Sequence, residues 1–154
     1  ITEGPVMEMG SGEGSTKHLR EYCTATERPF RSFDNNKEWC EKTGAEYVED
    51  WDDEFIDKAV FAKQVGVVFI DHAPGERRRE DVATFSNAAD IIVIHDTEEG
   101  GAGDYKFETI WHLFKYRLNY NRLGGGAGAT AVSNTIDLNQ FRGLSLGKYT
   151  FDND

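Results

Sequence analysis

Apolar residues in this chain gather in short runs separated by longer polar stretches. Val65-Gly66-Val67-Val68-Phe69-Ile70-Asp71 is a continuous apolar run closed by a carboxylate, and Ala89-Asp90-Ile91-Ile92-Val93-Ile94-His95-Asp96 repeats the pattern. Such β-branched runs predict strands buried on both faces, and their alternation with helical segments predicts a parallel sheet. The polar stretch between them, from about Glu76 to Ala88, supplies one such helix. Upstream, Val6-Met7-Glu8-Met9 predicts a first strand, a helical pattern opens at Thr16, and Arg31-Ser32-Phe33-Asp34 follows Pro29 as a brief second strand. Residues 36–43 predict a short helix closed by Gly44, and 45–48 a third strand. Residues 52–64 place Phe55, Ala59 and Ala62 on one helical face, and 105–116 do the same with Phe107, Ile110, Trp111 and Phe114. Residues 118–123 and 130–136 flank the Gly124–Gly128 run and predict a closing antiparallel hairpin; the tail over 137–154 is polar and expected to pack loosely. The sum is an α/β fold, doubly wound, with a mostly parallel seven-stranded sheet and an antiparallel C-terminal hairpin.

Length and charge narrow the picture further. With 154 residues the chain is expected to be one domain, spanning 1–154. Cys23 and Cys40 are too few for a disulfide framework and read as free thiols of a reducing compartment, the cytoplasm. No apolar run approaches the ~20 residues of a membrane span, and Ile1-Thr2-Glu3-Gly4-Pro5 lacks a signal-peptide pattern, so no membrane partner is expected. A net charge of −11 argues against nucleic acid, whose binding draws on clustered Lys and Arg. Acids dominate 41–60 and bases dominate 105–150; both read as solvated faces, with a functional basic patch as the alternative for the second.

The candidate chemistry starts where the first strand meets the first helix, at Glu8-Met9-Gly10-Ser11-Gly12-Glu13-Gly14-Ser15-Thr16. Glycines in such a turn remove the Cβ atoms that would keep backbone amides from a ligand, and the helix start offers free N–H groups. A dinucleotide turn needs G-x-G-x-x-G, with its third glycine inside the helix; here Ser15 stands in that place, which speaks against a nicotinamide-dependent oxidoreductase. Asp34 lies twenty residues past Gly14, where an acid at the tip of the second strand can accept from both ribose hydroxyls, with Asn35 beside it. Its other reading is a helix cap. Glu49-Asp50-Trp51 closes the third strand, where an acid could accept from an adenine amino group and an aromatic could stack on the ring, although a tryptophan there also packs well in a core. Because ligands gather beyond the carboxyl ends of parallel strands, Glu8, Asp34, Asp71 and Asp96 should share one edge.

With Glu8 in front, the turn reads E-x-G-x-G-x-G and resembles motif I of class I S-adenosylmethionine (SAM)-dependent methyltransferases, whose Rossmann-like order of elements matches nearly the whole chain. The resemblance implies SAM as cofactor, held by Glu8, Gly10, Ser11, Gly12, Gly14, Ser15, Asp34, Asn35, Asp50, Trp51, Asp71 and His72. Within the class, Val67-Val68-Phe69-Ile70-Asp71-His72 and Ile94-His95-Asp96-Thr97 resemble the strand ends of cation-dependent, catechol-type O-methyltransferases. That family holds Mg²⁺ there, which implies Asp71, Asp96 and Thr97 as ligands, with Thr97 where the family has Asn or Asp. Its catalytic lysine would fall at Pro74, which leaves His72 and His95 as bases beside Asp71 and Asp96. Arg77-Arg78-Arg79 is either a substrate anchor or an exposed helical face.

Helices that roof the acceptor pocket in the resembling chains have no counterpart in the five residues before Val6. Either a large acceptor brings its own surface, a homo-oligomer supplies the roof, or the site is open. The activity implied is methyl transfer to a hydroxyl of a small or sugar-like molecule. The alternative is a SAM-binding module without transferase activity.

Overall fold

The computed structural model describes residues 1–52, 55, 65–98, 105–122, 127–142 and 149–152. In chain order it contains β1 (Val6–Met9), α1 (Thr16–Ala25), β2 (Phe30–Asp34), α2 (Lys37–Thr43), β3 (Glu46–Tyr47), β4 (Val65–Ile70), α3 (Arg78–Phe85), β5 (Ala89–His95), β6 (Tyr116–Arg122), β7 (Ala129–Ser133) and β8 (Tyr149–Asp152). One sheet joins every strand in the order β3-β2-β1-β4-β5-β7-β6-β8. The first five strands of that order run parallel, and β7 pairs antiparallel with β5 and with β6. The chain therefore has the expected doubly wound, mostly parallel sheet with its antiparallel hairpin, and β8 extends the seven expected strands to eight.

Register explains why the sheet buries the face it does. Met9 lies beside Phe33 and Ile70, Ile70 beside Ile94, Val68 beside Ile92, and Ile92 beside Val132, so the alternation in each strand sends these side chains to one face. There they meet Val82 and Phe85 of α3 and Phe107 and Ile110, all buried. Each such side chain contributes about 1.5–3 kcal/mol on leaving water. On the other face α1 packs against β1 and β2 and covers Glu8 and Ser32, which are also buried.

Capping sets the short helix α2. Asn36 accepts from the amides of Glu38 and Trp39, and Gly44 closes the helix in the left-handed region at φ 72°. The capping alternative for Asp34 is thus filled by Asn36 two residues on.

Three elements depart from expectation. Residues 105–116 form two 3-10 turns, Phe107–Thr109 and Trp111–Leu113, instead of an α-helix. Lys106 enters at φ 55°, and β-branched and aromatic residues from Phe107 to Phe114 favour docking of Phe107 and Ile110 on the core over helix propagation. The helix expected over 76–88 is a 3-10 turn, Gly75–Arg77, followed by the shorter α3. The tail adds β8, which pairs with the outer edge of β6, as the strand-forming Tyr149-Thr150-Phe151 favours. The helix expected over 52–64, except Asp52 and Phe55, lies outside the described residues, as do 99–104 of the loop after Asp96 and 123–126 of the glycine run. Cys23 and Cys40 are free thiols, and among the described residues no helix is long and apolar enough to cross a membrane.

Candidate functional site

A cleft of about 620 Å³ opens at the carboxyl ends of β1, β2 and β4. Gly10, Ser11, Asp34, Asn35, Asp71 and His72 of the expected cofactor set all line it. Gly10 is fixed by two constraints: its φ is +92°, and a Cβ would lie 2.4 Å from the His72 amide nitrogen and 2.5 Å from the Asp71 carbonyl carbon. Gly14 faces open space, since a Cβ there would meet nothing within 4 Å, and a Cβ on Gly12 would make only an ordinary contact with the Ser15 hydroxyl at 3.5 Å. The turn therefore leaves room above the start of α1, where Ser15 makes no side-chain cap.

Asp34 ties this turn to β2. Its Oδ2 accepts from the Ser11 amide at 2.7 Å and the Ser11 hydroxyl at 3.0 Å, and its Oδ1 accepts from the Asn36 amide at 2.7 Å. Every one of these donors is neutral. The Ser11 hydroxyl also has a second partner, the Thr43 hydroxyl at 3.0 Å, so a ligand hydroxyl can replace it on Asp34 without stranding it. Asn35 donates to the Ala73 carbonyl at 2.9 Å and so ties the tip of β2 to the segment after β4.

Three expected cofactor residues support the cleft from outside it. Glu8 is completely buried beneath the turn, accepts from the Ser32 hydroxyl, and has its carboxyl pushed above the usual range of 4.5 by burial. It braces the turn and does not reach the cleft. Trp51 is fully buried, stacks on His72 with ring centroids 4.7 Å apart and donates to the Ala73 carbonyl. Its aromatic faces are spent on the core, so the adenine role falls away. Asp50 is exposed and accepts from the Trp51 amide, outside the cleft lining. Exposed aromatics do line the cleft, namely Trp39 and Tyr47, which sequence reasoning passed over. Their signal was position: Tyr47 ends β3 and Trp39 lies in the first turn of α2, both flanking Asp34.

Beyond the cleft, Asp71 leads to a second cluster. His95 Nδ1 lies 3.0 Å from Asp96 Oδ1 and 3.3 Å from Asp71 Oδ1. The distances are short but the alignment is poor for a directed hydrogen bond, so these contacts are mainly electrostatic. The Asp71 carboxylate, helped by Asp96 and opposed by burial, holds the imidazole pKa above its ordinary 6.5. Asp96 sits in the left-handed region at φ 58°, pinned by its amide to the Gly128 carbonyl at 2.9 Å.

His72 is not part of this cluster, which corrects its assignment as a base. Its side chain is fully buried, and Nε2 lies 2.8 Å from the equally buried Asp81 carboxylate. A proton from an acceptor cannot reach it. His72 and Asp81 instead hold the segment after β4 against α3.

The Arg77-Arg78-Arg79 run divides. Arg78 is neither a substrate anchor nor part of an exposed face: at 7 % exposure it turns inward from the start of α3. Nη2 lies 3.0 Å from Asp71 Oδ1 and Nη1 lies 3.1 Å from Asp96 Oδ2. Asp71, His95 and Asp96 offer donor atoms within 4.8 Å of one another, a spacing that could hold a cation. The guanidinium already bonds both carboxylates, however, and the third expected ligand points elsewhere, because the Thr97 hydroxyl bonds the Thr130 hydroxyl at 2.8 Å. Mg²⁺ needs several oxygen ligands in octahedral array, and these residues do not fit it.

A larger groove, about 740 Å³, lies between α1 and the end of α2, where Lys17, Arg20 and Lys42 face Glu13 and Glu21. It gathers none of the strand-end carboxylates, so the smaller cleft is the candidate site.

No protein-family model matches the chain, and no curated protein matches its sequence. Among solved structures it is similar to the bifunctional kinase-methyltransferase WbdD, at 10 % identity and TM-score 0.47, over 85 % of this chain and 35 % of WbdD. This chain thus spans about a third of that protein's length. It is also similar to a methyltransferase from Thermoplasma acidophilum, at 11 % identity and TM-score 0.49, over 87 % of this chain and 69 % of the other. The plantazolicin methyltransferase BpumL in complex with SAH gives 11 % identity and TM-score 0.49, over 85 % and 76 %.

Proposed function

We propose that the chain binds SAM in the cleft at the ends of β1, β2 and β4 and transfers its methyl group to a hydroxyl presented beside His95. The observation that carries this reading is Asp34: a carboxylate at the tip of β2, bonded across the glycine turn only to neutral donors, in a cleft that runs on to Asp71. A ribose diol is the ligand group that such an acceptor suits. Trp39 and Tyr47, exposed in the same lining, offer faces for an adenine.

SAM, when bound, supplies a methyl group on a positively charged sulfur. The protein's share is to align that methyl with the attacking oxygen and to receive the proton. His95 is the group placed for this. The two carboxylates 3.0 and 3.3 Å from Nδ1 favour the proton on that nitrogen, so the other ring nitrogen carries the basic lone pair in the neutral imidazole. With SAM bound, an acceptor oxygen bonding the methyl carbon as the carbon–sulfur bond broke would give its hydroxyl proton to His95. The two carboxylates then face an imidazolium, which they stabilise.

A binding module without transferase activity is the second reading, and one observation favours it: Arg78 and His95 already satisfy Asp71 and Asp96 from within the chain. The two separate by experiment. Calorimetric titration with SAM, S-adenosylhomocysteine and NAD should show heat with the first two alone. Incubation with radiolabelled SAM and a pool of polyols and phenols should then yield labelled product, and His95→Gln should lower turnover by roughly 10²–10⁴ while SAM still binds. Absence of SAM binding would end the proposal; binding without product from any acceptor would leave the module.

A further inference from the structure

We propose that Arg78 is the resident cation of the acceptor edge, a positioning residue whose guanidinium stands where a divalent ion would have to sit between Asp71 and Asp96. The catalytic consequence rests on the methyl-transfer reading, whereas the placement of the cation stands on geometry alone.

Arg78 is held by more than its two carboxylates. Nε donates to the His72 carbonyl at 2.7 Å, Nη2 to the Asp71 carbonyl at 3.0 Å, and Nη1 lies 3.4 Å from the His95 carbonyl. One rigid fork therefore clamps the ends of both β4 and β5 as well as the acids that follow them. The Tyr105 ring covers the guanidinium, 5.3 Å from centroid to Cζ. Gly75 makes that cover possible, since a Cβ there would lie 2.4 Å from Tyr105 Cε1.

For a divalent ion to enter, the guanidinium would have to leave both carboxylates. It would then be a buried charge with only backbone carbonyls as acceptors and no counter-charge, beside a second positive charge of twice its size. Arginine cannot shed its proton to escape this conflict. Asp71 and Asp96 therefore stay in one fixed arrangement around His95 without any ion, and the imidazole keeps its place whether or not Mg²⁺ is present.

Removing the charge should convert the cluster into what its donor atoms alone would make it. In Arg78→Gln the oxygens of Asp71 and Asp96 and the nitrogen of His95 would converge with no internal cation, a donor set suited to Mn²⁺. The experiment is a Mn²⁺ titration of the whole chain followed by electron paramagnetic resonance, in which the sharp signal of aqueous Mn²⁺ falls on binding. Wild type and Arg78→Lys, which keeps the charge, should leave the signal unchanged. Arg78→Gln should bind Mn²⁺ at least about tenfold more tightly than wild type, and Arg78→Gln/Asp96→Asn should lose that binding. A merely structural arginine would not produce this pattern.

Mn²⁺ binding by wild type that disappears in Asp71→Asn or Asp96→Asn would overturn the assignment. So would an Arg78→Gln chain with native circular dichroism that still ignores Mn²⁺. Where Arg78→Gln does not fold, the wild-type arm decides: binding lost in Asp96→Asn overturns the proposal, and no binding upholds it. SAM calorimetry on the same wild-type sample separates this result from the parent reading, because a chain that ignores SAM but gains Mn²⁺ in Arg78→Gln keeps the resident cation and loses the methyl transfer.

Discussion

Asp34 and Asp96 lie at the ends of strands in the same sheet, yet their surroundings are opposite. Asp34 accepts from two backbone amides and a serine hydroxyl, all neutral, whereas Asp96 faces the Arg78 guanidinium and the His95 imidazole. A carboxylate satisfied by neutral donors keeps its negative field and can exchange one hydroxyl for another at small cost. A carboxylate matched by an internal cation has its charge balanced and its geometry fixed. The first arrangement suits the reception of a ligand; the second suits a frame that holds another side chain. Asp71 joins the two regions, since it lines the cleft and also bonds Arg78.

The largest effect is expected at the seam. Gly10 packs against the backbone of Asp71 and His72 in a conformation that L residues resist, so Gly10→Ala combines left-handed strain with overlap. We expect a loss of about 3 kcal/mol or more in urea unfolding, with SAM binding lost at the same time. A variant within about 1 kcal/mol of wild type would mean that the cleft and the cluster are not rigidly joined there.

Substitution in each region separately should then split binding from turnover. Asp34→Asn keeps the shape and loses the charge, which should weaken SAM by roughly tenfold to a hundredfold, the worth of a charged hydrogen bond. Arg78, His95 and Asp96 should be silent in that assay. Equal losses of SAM affinity from Asp34→Asn and His95→Gln would erase the distinction between the two regions.

The placement of the residues that line the cleft was legible in the sequence, and that of the cluster much less so, for physical reasons. Gly10, Ser11, Asp34 and Asp71 are placed by strand ends, and strand ends follow from local apolar runs that alternate with polar segments. Trp51 and His72 depended on what packs behind them, which no local pattern carries; each is consumed by the core. Arg78 had a signal that three consecutive arginines concealed. Val82 and Phe85 are the buried apolar positions of α3, and the stripe they define, extended back by four residues from Val82, falls on Arg78. The inward face of that helix thus begins with a charge, which needs a partner, and two strand-end acids were available.

A smaller effect concerns pH. Asp71 is the main cause that raises the His95 pKa above 6.5. If His95 is the base, the rate should climb with pH through that raised value, because only the neutral imidazole accepts a proton. Asp71→Asn removes the leading cause, so the climb should move to lower pH. Folding stability follows the same group with its own sign: the contribution from protonated His95 is complete below 6.5 and fades as pH rises through the folded-state value. A pH–rate limb that stays in place in Asp71→Asn would remove His95 from the proton's path.

The smallest effect is expected at Glu8, beneath the glycine turn. Burial is the leading cause that raises its carboxyl pKa above 4.5, against the hydroxyls of Ser15, Ser32 and Thr16 and the charge of Arg20. The folded chain therefore holds the Glu8 proton more tightly than the unfolded chain does. Stability from this group is complete below 4.5 and declines as pH rises through the folded-state value, the reverse of a salt-bridged acid. Glu8→Gln replaces the carboxyl with an amide that never ionises, so it should flatten that decline and cost little at acidic pH. Urea unfolding of both chains across the weakly acidic range reads the difference. A Glu8→Gln chain that loses the same stability at every pH would show that the buried carboxyl's raised pKa does not govern the stability of the turn, and the contrast between Asp34 in the cleft and the buried brace below it would then be gone.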